Sequence, residues 1–271
     1  MSTNAFSVNS NNFLMISKGR ISEIRKLHLK KFRDQEKLFL VEGRKSVEML
    51  LESDFQICDI YATENFYQEH QGMFGKMAVT MVSLPEMERI STLSTPPELL
   101  AVVRQRQDVQ PIGEHEPVLV LDRIADPGNL GTMVRTADWF GIRHVVCSPD
   151  CVEFYNPKTI QSTMGSFCYV QVHVRDLVDF LKANNDRRAL GTFLGGESIN
   201  EFEFHDNDII VIGSESNGIS APVAECITHR ITIPRGRTNG PSAESLNAAV
   251  AAAIALLAAI VIVKIVKRNK K

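Results

Sequence analysis

The sequence lacks the signatures of several common chemistries. Its five cysteines, Cys58, Cys147, Cys151, Cys168 and Cys226, contain no CxxC pair, and no histidine pair completes a zinc site around Cys147 and Cys151. No bound metal is therefore expected. The start, MSTNAFSVNSNN, is polar and has no apolar core, so the odd set of thiols reads as free cysteines of a cytoplasmic protein. GxxxxGK[ST] is missing, no GxGxxG follows the first strand of the larger α/β block, and there is no G-x-S-x-G elbow. Phosphate-loop hydrolysis, dinucleotide binding and α/β-hydrolase chemistry lose support accordingly. An excess of one charge is missing too: 30 basic and 32 acidic residues leave a net charge of -2, which announces no polyanionic partner. The apolar run 248–263 is 16 residues long, short of the roughly 20 that span a bilayer. With Lys264, Lys267, Arg268, Lys270 and Lys271 behind it, it predicts a buried helix whose basic end complements the helix dipole, and no membrane anchor.

What is present points to two α/β domains. With 271 residues and 44% hydrophobic content, the chain has ample material for one large domain or two of ordinary size. Residues 1–14 are rich in Asn and Ser and are expected to be disordered. Residues 17–52 read as helical, with Ile21, Ile24, Leu27 and Phe32, then Val47, Leu50 and Leu51, at helical spacing. The apolar LFLVEG between them reads as a strand, and the block 15–104 as a small α/β unit. Residues 105–116 have the polar, proline-containing composition of a linker. Over 117–271, apolar strands at 118–122, 144–148, 169–174, 189–194, 208–215 and 230–234 alternate with helices; the first helix, 130–140, ends at Gly141. Such alternation predicts a mostly parallel sheet covered on both faces, with ligands gathering beyond the strands' carboxyl ends.

Charge is uneven along the chain. From Lys18 to Lys45 ten basic residues face four acids, about +6 in this stretch alone. Lys18, Arg20, Arg25, Lys26 and Arg44 are its candidate RNA contacts, since such a patch draws phosphate backbones through counterion release. The alternative is a solvated helix face.

Three polar clusters stand at predicted strand ends. In DRIADPGNLGTMVRTADWFG (122–141), Asn129 is placed to cap the following helix, and Arg135 lies six residues on. In IGSESNG (212–218), Gly213 and Gly218 allow a ligand to approach the backbone, while Glu215 can hold a cation, an arginine or an adenosyl hydroxyl. IPRGRTNGPSAESLN (233–247) feeds the C-terminal helix; Ser242 or Ser245 would cap it and Asn247 would sit in its first turn. Each cluster taken alone is equally a helix cap or a glycine turn.

In order, the three clusters resemble the motifs of the SpoU family of RNA ribose 2'-O-methyltransferases, in the SPOUT superfamily. The matching residues are N-x-G-x-x-x-R-T as Asn129–Thr136, G-x-E-x-x-G as Gly213–Gly218, and I-P with S-L-N as Ile233–Pro234 and Ser245–Asn247. This resemblance covers about 117–265. The segment KLFLVEGRKSVEMLL is similar to part of the family's L30e-like substrate-binding domain.

The resemblance implies an α/β fold with a C-terminal parallel-sheet SPOUT domain, knotted as a trefoil, and a small N-terminal L30e-like α/β domain. It implies a homodimer that binds S-adenosyl-L-methionine in a bent form within the knot. Cofactor contacts would come from Thr192, Leu194, Gly195, Gly213, Ile233, Ser245 and Leu246, largely through main chain. Arg135 would lie nearest the 2'-hydroxyl proton, with Asn129, Glu215 and Asn247 holding the arginine, the substrate or the cofactor. Because arginine stays protonated, a role in binding the target phosphate and activating the hydroxyl suits Arg135 better than that of a base. The loop between Pro234 and Ser245 is longer than the family's usual one and adds Arg235 and Arg237 near the expected RNA entrance. The separate N-terminal domain favours 23S rRNA as substrate; tRNA, or a non-catalytic role in ribosome assembly, are the alternatives.

Overall fold

A computed structural model of the chain describes residues 16–236 and 243–269, with 261–269 as backbone alone. The tail 1–14, Arg237, Gly240 and Ser242 lie outside the described residues. The chain divides into two compact units: residues up to Leu51 with Gln56–Arg104, and Glu52–Phe55 with Gln105 onward.

In the first unit, β1 (Leu38–Glu42), β2 (Ile57–Thr63), β3 (Thr80–Val82) and β4 (Leu99–Arg104) form a sheet in the order β1-β4-β2-β3. β4 runs antiparallel to both β1 and β2, and β3 is parallel to β2. The helices are α1 (Lys18–Lys26), α2 (Lys30–Glu36), α3 (Arg44–Leu51), α4 (Glu64–His70) and α5 (Leu84–Ile90). The helical stretch predicted before the first strand is interrupted at 27–29, where Leu29 turns extended and the His28 ring bonds the Ile90 carbonyl at 2.9 Å. Three-residue spacing puts Ile21, Ile24 and Leu27 on one side of the chain, buried against Met87 and Ile90 of α5 and Leu40, Tyr61, Leu100 and Val102 of the sheet. Ser17 caps α1 by accepting the Arg20 N–H, and a Ser83–Glu86 capping box starts α5.

The second unit is built on six parallel strands: β5 (Val118–Leu121), β6 (His144–Cys147), β7 (Gln171–Val174), β8 (Ala189–Ser198), β9 (Ile209–Ile212) and β10 (His229–Thr232). Their order is β10-β8-β9-β5-β6-β7, so the chain lays strands outward from β5 on one side and then crosses to the other. All four residues of the central strand β5, buried on both faces, are apolar, as a sheet covered on both sides requires. α8 (Leu177–Ala183) and α9 (Ala221–Ala224) pack Leu177, Phe180, Leu181 and Val223 on one face. α6 (Pro127–Phe140) and α10 (Ala248–Asn269) lie together, and α7 (Pro157–Thr163) packs on α6. A Cβ on Gly131 would stand 2.4 Å from the Thr159 carbonyl oxygen, so the glycine two residues after Asn129 is what lets α6 meet α7 closely.

β8 departs from the expected strand 189–194. Its ladder with β10 pairs Arg230 with Gly191 and then Ile231 with Glu197, so residues 192–196 swing out of register between them. The alanines Ala248, Ala249, Ala252, Ala255 and Ala259 are buried along α10, the interior placement predicted for this run. Among the described residues no helix is long and apolar enough to cross a membrane.

Between the start of β6 and the middle of β7, away from the strand ends singled out above, lies a buried histidine pair. His144 Nδ1 is 3.0 Å from His173 Nε2, and His144 Nε2 is 3.1 Å from the Glu116 carboxylate, with Arg143 nearby. Burial pushes both imidazoles down; for His173, aided by repulsion from His144 and Arg175, the pKa falls to about 4. As pH drops below about 6.5, the unfolded chain takes up a proton that folded His173 refuses, so stability falls until the folded ring itself titrates. Urea midpoints measured from pH 6.5 down to pH 4 should therefore decline less in His173→Gln than in the parent chain; equal slopes would remove the histidine from this account.

Candidate active site

The three clusters do meet, at the carboxyl ends of β5 and β9. α6 begins earlier than predicted, at Pro127, and its cap is Asp126, whose Oδ1 accepts the Asn129 N–H at 2.8 Å. Asn129 is thus not the cap. Because Asp126 already satisfies that first-turn N–H, the Asn129 amide is free to point elsewhere. Its Nδ2 donates to Glu215 Oε1 at 2.6 Å. Asn247 Nδ2 donates to the same oxygen at 2.6 Å and also to Asn129 Oδ1 at 3.1 Å, and the Ala248 N–H approaches Glu215 Oε1 at 3.3 Å.

Asn247 also corrects the reading of the third cluster. It stands one residue before α10 and caps it, with Oδ1 accepting the N–H groups of Ala249 at 3.0 Å and Val250 at 3.2 Å. Ser245, exposed two residues upstream, is not the cap, and Asn247 precedes the first turn instead of lying in it. The amide divides the two jobs between its atoms: the oxygen closes the helix and the nitrogen reaches across to the carboxylate.

Glu215 is presented by a tight turn after β9. Ser214 and Gly218 exchange backbone hydrogen bonds of 3.1 and 2.8 Å, and a Cβ on Gly213 would fall 2.1 Å from the Gly218 carbonyl carbon. The turn is fastened to β5 by buried Asp122, whose Oδ2 accepts the Ser220 N–H at 2.6 Å. Glu215 Oε1 is engaged by three N–H groups, while no described residue bonds its Oε2.

Arg135 is not part of this cluster. Six residues along a helix turn a side chain about 120° from Asn129. Arg135 is accordingly exposed on α6, on the stripe of Thr132 and the 84% exposed Trp139, and makes no side-chain hydrogen bond among the described residues.

The candidate cofactor contacts follow the ends of neighbouring strands. Thr192, Leu194 and Gly195 lie in the segment that leaves the β8 ladder, with Leu194 76% exposed; the Thr192 hydroxyl reaches the Val211 carbonyl at 3.4 Å. Gly213 follows β9, Ile233 follows β10, and Ser245 and Leu246 precede α10.

Of the candidate RNA contacts, Lys18, Arg25 and Lys26 are exposed. Arg20 is held by Asp59, by Glu23 at 2.7 Å and by the Tyr61 hydroxyl at 3.1 Å, and Arg44 is paired with Glu48 at 2.6 Å. Arg235 closes the third loop on itself, donating to the Glu244 carbonyl. All five cysteines are free, and among the described residues no group of His, Cys, Asp or Glu could hold a metal ion.

Two residues beside the site carried no sequence signal. Arg123, at the end of β5, has φ of 57°, and its buried Nε lacks a hydrogen-bond partner, 3.6 Å from Asp122. Nothing in an arginine's identity marks a left-handed backbone. Cys151 accepts the Ile124 N–H at 3.3 Å and donates to the Leu121 carbonyl at 3.3 Å. A hydrogen bond from Cys147, with others from Ser148 and the backbone, lowers its thiol to about 7 and correspondingly raises Cys147.

A polar cluster at the carboxyl ends of an open parallel sheet, next to the point where strand order reverses, defines a ligand-binding α/β domain. The chain belongs to the SpoU rRNA methylase family, whose model matches residues 116–257. Residues 18–101 match the MRM3-like substrate binding domain. The chain is 32% identical over 239 residues to the 23S rRNA (guanosine(2553)-2'-O)-methyltransferase RlmP of Bacillus subtilis, covering 87% of this chain and 93% of that one. It is 31% identical over 180 residues to a 23S rRNA (uridine(2479)-2'-O)-methyltransferase of Streptomyces viridochromogenes, covering 61% and 60%. Among solved structures, a TrmH-family protein from Porphyromonas gingivalis matches with a TM-score of 0.77 and 35% identity over 90% of this chain and 98% of that one. The AviRb methyltransferase of S. viridochromogenes, solved with AdoMet, shares the fold with a TM-score of 0.79 at 22% identity, over 91% and 98%.

Replacing Asn247 by Ala removes the α10 cap together with the bridge to Glu215. A loss of about 1–2 kcal/mol is expected in urea unfolding, the upper part of the range for caps. Asn247→Asp keeps the cap but sets two carboxylates together, and should be no more stable than Asn247→Ala.

Proposed function

We propose that the protein transfers a methyl group from S-adenosylmethionine to a ribose 2'-hydroxyl of 23S rRNA. The observation that carries this reading is the convergence of Asn129, Glu215 and Asn247, drawn from three separate motif segments, on one carboxylate oxygen. The curated relatives at 31% and 32% identity are both named for 2'-O methylation of 23S rRNA, which supports the acceptor. On this reading residues 15–104 bind the substrate and residues 117–271 carry the chemistry, with 105–116 between them.

The strand ends suit the cofactor. Residues 192–196 leave the β10 ladder, which frees main-chain groups of Thr192, Leu194 and Gly195 for an adenine edge. Gly213 has no room for a side chain, and Leu194 and Leu246 offer exposed apolar surface. Glu215 Oε2, which no described residue bonds, is a natural acceptor for a hydroxyl. S-adenosylmethionine supplies an electrophilic methyl carbon on a sulfonium.

The remaining work is positional. The ribose oxygen must lie in line with the methyl carbon, the new C–O bond forms as the S–C bond breaks, and the hydroxyl proton leaves to solvent or to a neighbouring phosphate. Glu215 anchors two loops and the start of α10, because its Oε1 is already held by three N–H groups. Arg135, which makes no side-chain hydrogen bond among the described residues, binds the target phosphate and polarises the hydroxyl as a donor.

The reading extends to threading and assembly. The second unit carries the family's trefoil knot, a reading supported by a sheet in which β8 and β10 are neighbours although β9 separates them in the chain. A second copy covers the exposed Trp139 of α6 and the exposed Val250 and Leu257 of α10, apolar surface that a lone chain would leave in water. Work on rRNA implies the cytoplasm.

Purified protein given labelled cofactor and separate rRNA and tRNA pools should label rRNA on a ribose. Label on a base, or in tRNA alone, overturns the assignment. Arg135→Ala should lower turnover about 10²- to 10³-fold, the range for losing one such donor, with calorimetric cofactor affinity unchanged. Near-normal turnover of that variant defeats the role given to Arg135.

A further inference from the structure

We propose that a groove between α1 and α5 in the first unit binds an unpaired stretch of RNA, and that Arg89, outside the basic run, is part of it. The inference rests on the methyltransferase reading for its choice of nucleic acid. The groove, of about 400 Å³, is lined by Lys18, Ser22, Arg25, Lys26, Leu29 and Arg89. Steps of four and three residues bring Lys18, Ser22 and Arg25 onto one stripe of α1, with the buried Ile21 beside it at the groove floor and Lys26 flanking it. Arg89 comes from α5, held alongside by the Met87 and Ile90 packing.

The basic run is less uniform than it reads. Arg20, Lys30 and Arg44 are each paired with a carboxylate, and Arg33 is buried with its guanidinium on the Leu27 carbonyl. By contrast, Lys18, Arg25, Lys26 and Arg89 form no ion pair among the described residues, and no acidic side chain lines the groove. Lys31, Lys37 and Lys45 are also exposed and without an ion pair among the described residues, but they lie outside the groove. The groove is set apart by gathering four such cations with no acid, and this favours a polyanion.

The dimensions and floor point to unpaired RNA. From Lys18 to Arg25 the helix rises about 10 Å, roughly the axial span of three stacked nucleotides at about 3.4 Å each. Leu29 sits in the extended link after α1, 59% exposed, and offers apolar contact. Duplex RNA presents phosphates and hydroxyls but keeps its base faces stacked, whereas loops and bulges can lay a base on such a surface.

Filter binding of the full chain to polyuridylate, to double-stranded RNA of equal length and to unmodified 23S rRNA tests this without cofactor. Polyuridylate should bind more tightly than the duplex. In Arg25→Gln/Arg89→Gln, affinity for polyuridylate and 23S rRNA should fall about tenfold, and the slope of log K against log salt should shrink by about 1.4, at about 0.7 for each phosphate no longer neutralised. Leu29→Ala should weaken polyuridylate binding with the slope unchanged, and the exposed Lys76→Gln should alter neither. An unchanged slope and affinity in the double variant overturn the groove, and duplex binding as tight as polyuridylate overturns the unpaired ligand. Because these readouts need no methyl transfer, they stand apart from the labelling experiment. A chain that binds RNA through the groove but labels none would fail the enzymatic reading alone.

Discussion

One carboxylate oxygen organises the second unit's ligand-facing edge. Glu215 Oε1 receives hydrogen bonds from Asn129 on α6, from Asn247 ahead of α10 and, more loosely, from the Ala248 N–H. The donors come from two distant pieces of chain, Asn129 lying 86 residues before Glu215 and the Asn247–Ala248 pair 32 and 33 residues after it. A bond between ionised oxygen and amide is worth more than a neutral pair, and here several act on one atom. The turn after β9 depends in its own way on Gly213, since any side chain there would meet the Gly218 carbonyl. Buried Asp122 repeats the device on a smaller scale, tying the far end of that turn to β5. The edge of the sheet is therefore held by carboxylates that accept from loops, and not by packing alone.

Much of this architecture was readable from residue order. Apolar runs with both neighbours apolar announced the central parallel strands, because a strand covered on two faces has no polar side to show. What the pattern could not give was the use made of each polar side chain. Asn129 and Ser245 looked like caps because residue type and position favour caps. The competition was settled by Asp126, three residues earlier, and by Asn247, two residues later. The swing of 192–196 out of the β8 ladder was likewise invisible, since TFLGG reads as the end of a strand and only the pairing with β10 exposes the mismatch. The positive φ of Arg123 leaves no mark in sequence at all.

Charge was the least legible property. A run with ten basic residues invites treatment as one patch, yet ion pairing is decided by side chains brought in from elsewhere: Asp59 lies on β2, 39 residues from Arg20. Such pairing adds little stability when exposed, but it fixes which cations face outward. The distinction between a neutralised and a free arginine is thus a property of tertiary structure, even on a helix whose existence is plain from its spacing.

The capping of α10 by Asn247 has a further consequence. The same amide starts the helix with its oxygen and closes the carboxylate cluster with its nitrogen, so fraying of the first turn of α10 and loosening of the ligand edge are one event. Binding energy gained at that edge is returned to the helix as protection against local opening. The first turn of the terminal helix is therefore a thermodynamic gauge of occupancy at that edge.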